Sequence, residues 1–182
     1  MAKTFVEIGT ANFDTLLPLA KQGWSGLAVE PVPYLADQAK NIYSETNIHV
    51  MECAISDVSG KLDMAVARDD GSWLTGCSHI VSPNHMGYKL SSNPDRQGDF
   101  DEIIQVDCIT LDELLVNMQT LDFLKVDAEG HELNIFKNYS FRVKPRLVKI
   151  EHKHVDDTVL AKRLEENGYL VWTEKDDIYG VI

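Results

Sequence analysis

Apolar residues in this chain fall into two patterns, short continuous runs and sets recurring at helical spacing. Residues 3–8 form a mostly apolar run of strand length, and Phe13, Leu16, Leu17 and Ala20 follow with the period of a helix face. Pro18 lacks an amide donor and clashes with the preceding turn in a helix interior. The spacing therefore predicts an irregular turn near residues 12–14 and a regular helix from about Thr15 or Pro18 to Lys21, ended by Gly23. Residues 27–30 read as a second strand. Pro33 suits the first position of a second helix, whose apolar face is Leu35, Ala36, Ala39, Ile42 and Tyr43. Residues 48–53 read as a third strand. Strand and helix alternating at this spacing is the signature of a parallel sheet with right-handed crossovers.

The second half repeats the alternation after an irregular middle. Residues 61–67 suggest a small strand after the Ser59-Gly60 turn. Residues 68–98, rich in Gly, Ser, Asn and Pro, show little periodicity and read as a long irregular loop, a length that in a compact domain points to function. Strand pattern resumes over 103–109. Thr110-Leu111-Asp112-Glu113 has the form of a capping box opening a short helix through Val116. Residues 121–126 form the next strand, a turn at Gly130 leads to a helix carrying Leu133 and Phe136, and 146–150 form another strand. Asp156 or Asp157 caps a helix carrying Val159, Leu160 and Leu164, which stops at Gly168. Residues 169–172 and 178–182 close the chain as a hairpin, placing an antiparallel C-terminal strand on a mostly parallel sheet flanked by helices. No internal repeat or linker divides residues 1–182, so one domain is expected.

Composition narrows the function. With 17 Lys+Arg against 29 Asp+Glu, the formal net charge is -12. Nucleic acid is therefore not expected as the partner, since phosphate contacts draw on basic clusters and the one modest cluster is Arg142, Lys144 and Arg146. No run approaches the roughly 20 apolar residues of a membrane span, and the N-terminal residues do not read as a signal peptide. Cys53, Cys77 and Cys108 are an odd number, widely spaced, and read as reduced thiols of a cytoplasmic protein.

Acidic residues gather where a ligand would sit. In open α/β sheets ligands bind beyond the carboxyl ends of the strands, and Glu7, Glu30, Asp57, Asp127 and Glu151 all read at or just past such ends. Glu7-Ile8-Gly9-Thr10-Ala11-Asn12 joins a strand to a helix, where Gly9 permits close backbone approach. The full dinucleotide fingerprint is absent, because Gly9 is the one glycine there. Glu30, 21 positions beyond Gly9, can accept both hydroxyls of a ribose. Asp57 can face an adenine amino edge. Asp127, Glu129 and His131 suit a general base, a metal site or a clamp for a substrate amine, and Glu151-His152-Lys153-His154 adds a second cluster. The spacing matches no closed zinc motif, and no metal is assigned.

Together these stretches resemble the FkbM-type S-adenosylmethionine-dependent methyltransferases. The resemblance rests on residues 6–12 (VEIGTAN), 29–31 (VEP), 54–57 (AISD), 110–114 (TLDEL), 150–151 (IE) and above all 123–132 (FLKVDAEGHE), and runs from Phe5 to about Trp172. It implies a Rossmann-like methyltransferase fold binding S-adenosylmethionine and transferring its methyl group, often to a hydroxyl. It places Glu7 and Gly9 on the methionine and ribose side of the cofactor, Glu30 on the ribose hydroxyls and Asp57 at adenine. Asp127 and Glu129 fall near the methionine portion or the acceptor. The family's usual second glycine is replaced here by Phe13 or Asp14.

A hydroxyl acceptor benefits from a base within hydrogen-bond reach. Asp127 and His131 are the first candidates and His152 the next. Trp73, His79, His85 and Tyr88 in the long loop, with Glu129, are candidates for binding a small-molecule or glycan acceptor. Two other readings compete: a nicotinamide-dependent oxidoreductase, which the glycine-poor first turn disfavours, and a non-catalytic binding module on a methyltransferase scaffold. Helix faces alone assign no oligomeric state.

Overall fold

The computed structural model describes residues 3–11, 15–67, 76–81 and 100–182. Its main sheet begins with β1 (Thr4–Ile8), α1 (Leu17–Lys21), β2 (Ser25–Val29), α2 (Pro33–Ile42) and β3 (Asn47–Met51). Pro18 and Pro33 both stand in the first turn of their helices, where a missing amide proton costs nothing. β8 (Leu121–Val126), α4 (Glu132–Lys137), β9 (Pro145–Glu151), α5 (Asp157–Glu165), β10 (Leu170–Glu174) and β11 (Asp177–Val181) complete it. The seven strands lie in the order β10-β11-β9-β8-β1-β2-β3. β3, β2, β1, β8 and β9 run parallel, while β11 is antiparallel to β9 and to β10. The expected C-terminal hairpin is thus docked on the sheet, with β11 as its antiparallel strand.

The middle of the chain builds a second sheet. β4 (Ala54–Ser56), β5 (Gly60–Ala67), β6 (His79–Ile80) and β7 (Phe100–Thr110) form four strands in the order β4-β7-β5-β6. The apolar run 48–55 therefore serves two sheets, breaking at Glu52-Cys53. Residues 76–81 of the expected loop contribute β6, which pairs with β5. α3 (Leu111–Leu114) opens on the expected capping box, with Thr110 and Glu113 bonded reciprocally.

Alternation along β1 sorts the core. Val6 and Ile8 join Leu124, Val126, Val148 and Ile150 beneath Leu111, Ile135, Phe136 and Leu160. Phe5 faces the other way, against Leu16, Ala20, Ala39 and Tyr43 of the α1 and α2 side. The second sheet packs Met64, Val66 and Val106 against Val32 and Leu35. Both faces of the parallel strands are thereby covered, which is why they read as continuous apolar runs. Among the described residues no helix is long and apolar enough to cross a membrane.

Candidate active site

The chain reverses direction across the sheet between β1 and β8, whose neighbours lead to β2 on one side and β9 on the other. A crevice opens beyond the carboxyl ends of strands at such a switch point. Here it is lined by Ile8, Gly9 and Ala11 after β1, Glu30 and Pro31 after β2, and Asp127, Ala128, Glu129 and His131 after β8. Cys53, Ala54 and Ile55, Met64 and Ile80 of the second sheet, and Ser78 just before β6 complete the lining. About 690 Å³ of it is free of protein atoms, its open mouth included.

Backbone bonds tie the strand ends into one floor. Gly9 N–H donates to Val29 O, Glu30 N–H to Met51 O, and Asp127 N–H to Ile8 O, each at 3.0 Å. Gly9 has φ +78°, and a β-carbon on it would lie 1.7 Å from the carbonyl oxygen of Asp127. Only glycine fits there.

Glu30 is the most constrained acid of the site. It is 4% exposed, accepting the Ala11 N–H at 2.8 Å on one carboxylate oxygen and the Val32 N–H at 2.9 Å on the other. Burial pushes its carboxyl up to about 7, against the pull of those two amides. Each oxygen can accept further bonds, and the residue lines the pocket.

Asp127 lines the pocket with its carboxylate partly exposed, 3.5 Å from Lys125 Nζ. Its pKa is raised by burial, with Lys125 pulling it down and Glu129 pushing it up. Behind it, Lys125 Nζ lies 3.3 Å from Glu7 Oε1, and Tyr43 OH donates to Glu7 Oε2 at 3.1 Å. His131, 3% exposed, lines the pocket with Nε2 2.9 Å from Ser56 Oγ. Glu132 accepts Ala128 N–H at 2.7 Å and Gly130 N–H at 3.2 Å, so the loop after β8 is braced from beneath. Glu129, on the wall, pairs with His154 Nε2 at 3.4 Å. Glu151 stands beside them, its carboxyl pushed up to about 8 by burial and by the charges of Asp127, Glu129 and Glu132.

Four expected positions lie elsewhere. Glu7, 0% exposed, shares the Phe5 face of β1 and is absent from the pocket wall. Asp57 follows β4 of the second sheet, where its carboxylate binds Lys137 Nζ at 2.7 Å outside the pocket. His79 is buried with Nδ1 3.0 Å from Cys77 O and its ring edge-on to Phe100, while its neighbours Ser78 and Ile80 face the pocket. His152 uses its backbone to tie the end of β9 to Asp176, and its side chain is not on the pocket wall. Trp73, His85 and Tyr88 lie outside the described residues.

The methyltransferase FkbM domain model matches residues 6–171. The chain belongs to the FkbM methyltransferase family. A solved FkbM methyltransferase from Methylobacillus flagellatus KT superposes with a TM-score of 0.63 at 16% identity, covering 100% of this chain and 44% of that one. A precorrin 8W decarboxylase from Methanobacterium thermoautotrophicum (TM-score 0.52, 11% identity, 100% and 82% covered) and a Methanococcus jannaschii fibrillarin pre-rRNA processing protein (0.51, 12%, 99% and 66%) share the fold. No curated protein matches the sequence. This FkbM domain thus has the Rossmann-like methyltransferase fold, and spans less than half the length of its Methylobacillus relative.

Within the FkbM domain, sequence reading missed Ser78 and Met64 on the pocket wall and the buried Lys125–Glu7 pair. Strand parity is the signal that finds them. Glu7 alternates with Val6 and Ile8 and so shares a face with Phe5, as His79 alternates with Ser78 and Ile80.

Proposed function

We propose that this FkbM domain binds S-adenosylmethionine in the switch-point pocket and methylates a hydroxyl of a small-molecule or glycan acceptor. The observation that carries the reading is Glu30: a buried carboxylate, fixed by two backbone amides, with acceptor capacity left on a pocket wall. That capacity suits the paired hydroxyls of a ribose. The apolar wall of Cys53, Ala54 and Ile55 suits adenine, and the Gly9 and Asp127 loops suit the methionine portion. Asp127 and Glu129 match a sulfonium cation in sign.

When bound, the cofactor supplies an electrophilic methyl group and leaves as a neutral thioether. The protein's part is to hold the acceptor oxygen in line, where positioning alone lowers much of the barrier. The Asp127 carboxylate takes the hydroxyl proton as the new O–C bond forms. His131, held by Ser56, orients the acceptor beside it. The carboxylates of the rim favour a neutral or cationic acceptor over a phosphate-rich one.

Calorimetry on the purified chain tests the reading. S-adenosylmethionine binds and NAD does not, and Glu30→Ala loses at least tenfold in affinity. An unchanged dissociation constant in that variant removes Glu30 from the site.

A further inference from the structure

We propose that Glu129, Glu151 and His154 form a divalent-cation site beside the pocket, taking Mn²⁺ or a similar first-row ion. The three come from different parts of the fold: the loop after β8, the last residue of β9, and the turn before α5. Folding nonetheless brings one donor atom of each within 4.8 Å of the others. A coordination shell with bonds of about 2.0–2.4 Å measures about 4–4.8 Å across, so the donors already span one. Glu129 reaches the pocket wall, which puts the ion beside the pocket.

Carboxyl groups crowd this corner of the fold. The Glu151 carboxylate has no hydrogen-bond or ion-pair partner among the described residues, although the residue is half-buried. Glu132 stands close enough to Glu151 to act on it electrostatically. It is 1% exposed, and while one carboxylate oxygen holds two backbone amides, the other is buried with no hydrogen-bond partner. Of the nearby lysines, Lys125 is paired with Glu7 and Asp127 and Lys149 with Asp177 at 3.1 Å, while the exposed Lys153 acts electrostatically on His154.

Two carboxylates with one imidazole suit Mn²⁺ and its neighbours better than Mg²⁺, which favours oxygen and water alone. Three protein donors leave positions for water or an acceptor oxygen. A hydroxyl on the ion loses its proton more readily, easing the work assigned to Asp127; this last step rests on the methyltransferase reading, whereas the ion site does not.

Electron paramagnetic resonance of Mn²⁺ titrated into the cofactor-free protein tests the site. One Mn²⁺ binds per chain, Glu151→Gln and His154→Ala each weaken binding at least tenfold, and Glu45→Gln, exposed ahead of the amino end of β3, leaves it unchanged. Wild-type binding no tighter than that of both site variants overturns the proposal. Calorimetry of S-adenosylmethionine on metal-free protein is scored separately, so failure of the cofactor reading leaves the Mn²⁺ result standing, and the converse.

Discussion

Gly9 and Asp127 meet backbone to backbone: a β-carbon on the one would lie 1.7 Å from the carbonyl oxygen of the other. The contact joins the ends of the two central strands and sets the floor of the pocket. Neither atom belongs to a flexible side chain, so relief requires moving a loop. The positive φ adds strain for any other residue. Gly9→Ala therefore destabilises the domain by about 2 kcal/mol or more and abolishes measurable S-adenosylmethionine binding. Denaturant unfolding and calorimetry on the same preparation check both.

Glu30 has a structural duty as well as its proposed ribose duty, since Ala11 and Val32 donate to it. Glu30→Ala leaves two buried amides without an acceptor, at about 1–3 kcal/mol each, partly offset by removing a buried carboxyl. Glu30→Gln keeps the volume and one acceptor but turns an amide NH₂ toward the other donor. Both variants lose cofactor affinity, and Glu30→Ala melts at the lower temperature. Equal melting temperatures would show that the two amides find other partners.

The same residue makes stability and binding respond oppositely to pH. The Glu30 carboxyl is raised from 4.5 to about 7 by burial, and no charged group is among the causes. Between those values the folded chain holds a proton that the unfolded chain has released, so stability is highest below the lower value and falls as pH rises to about 7. Its contribution is of the order of 3 kcal/mol. Ribose hydroxyls, as donors, favour the ionised carboxylate, so affinity for S-adenosylmethionine rises about tenfold from pH 6 to 7.5. Melting and titration of wild type beside Glu30→Gln isolate the effect, because other carboxyls cancel. A parallel pH profile for the two proteins contradicts it.

Much of this was legible in residue order. β8 was readable at its observed bounds, because residues 121–126 are apolar enough to be buried on both faces. The capping box at Thr110 was readable because its two side chains satisfy backbone groups locally. The transfer from β3 to β4 was not, since apolar residues continue through the break and nothing in them names the partner strand. Asp57 was misplaced for that reason: the strand before it belongs to the second sheet, which points its carboxylate at Lys137. Glu151 and His154 have an ordinary turn spacing, and Glu129 joins them only through the pairing of β8 with β9.

Lys125 and Glu7 offer a last test, which separates support of the pocket from contact with its ligand. Lys125 is 7% exposed and Glu7 fully buried, with 3.3 Å between ammonium and carboxylate. Removing one charge strands the other in a medium that solvates it poorly, a loss of about 3–5 kcal/mol for a buried pair. Lys125→Met is therefore strongly destabilising, and Glu7→Gln in the same chain restores part of the loss, a coupling that a double-mutant cycle in denaturant measures. Since Glu7 faces Phe5 and Tyr43 instead of the pocket, Glu7→Gln alone leaves S-adenosylmethionine affinity within about twofold. A tenfold fall would mean that the carboxylate acts on the ligand through Lys125 and Asp127, and the pair would then count as part of the cofactor site.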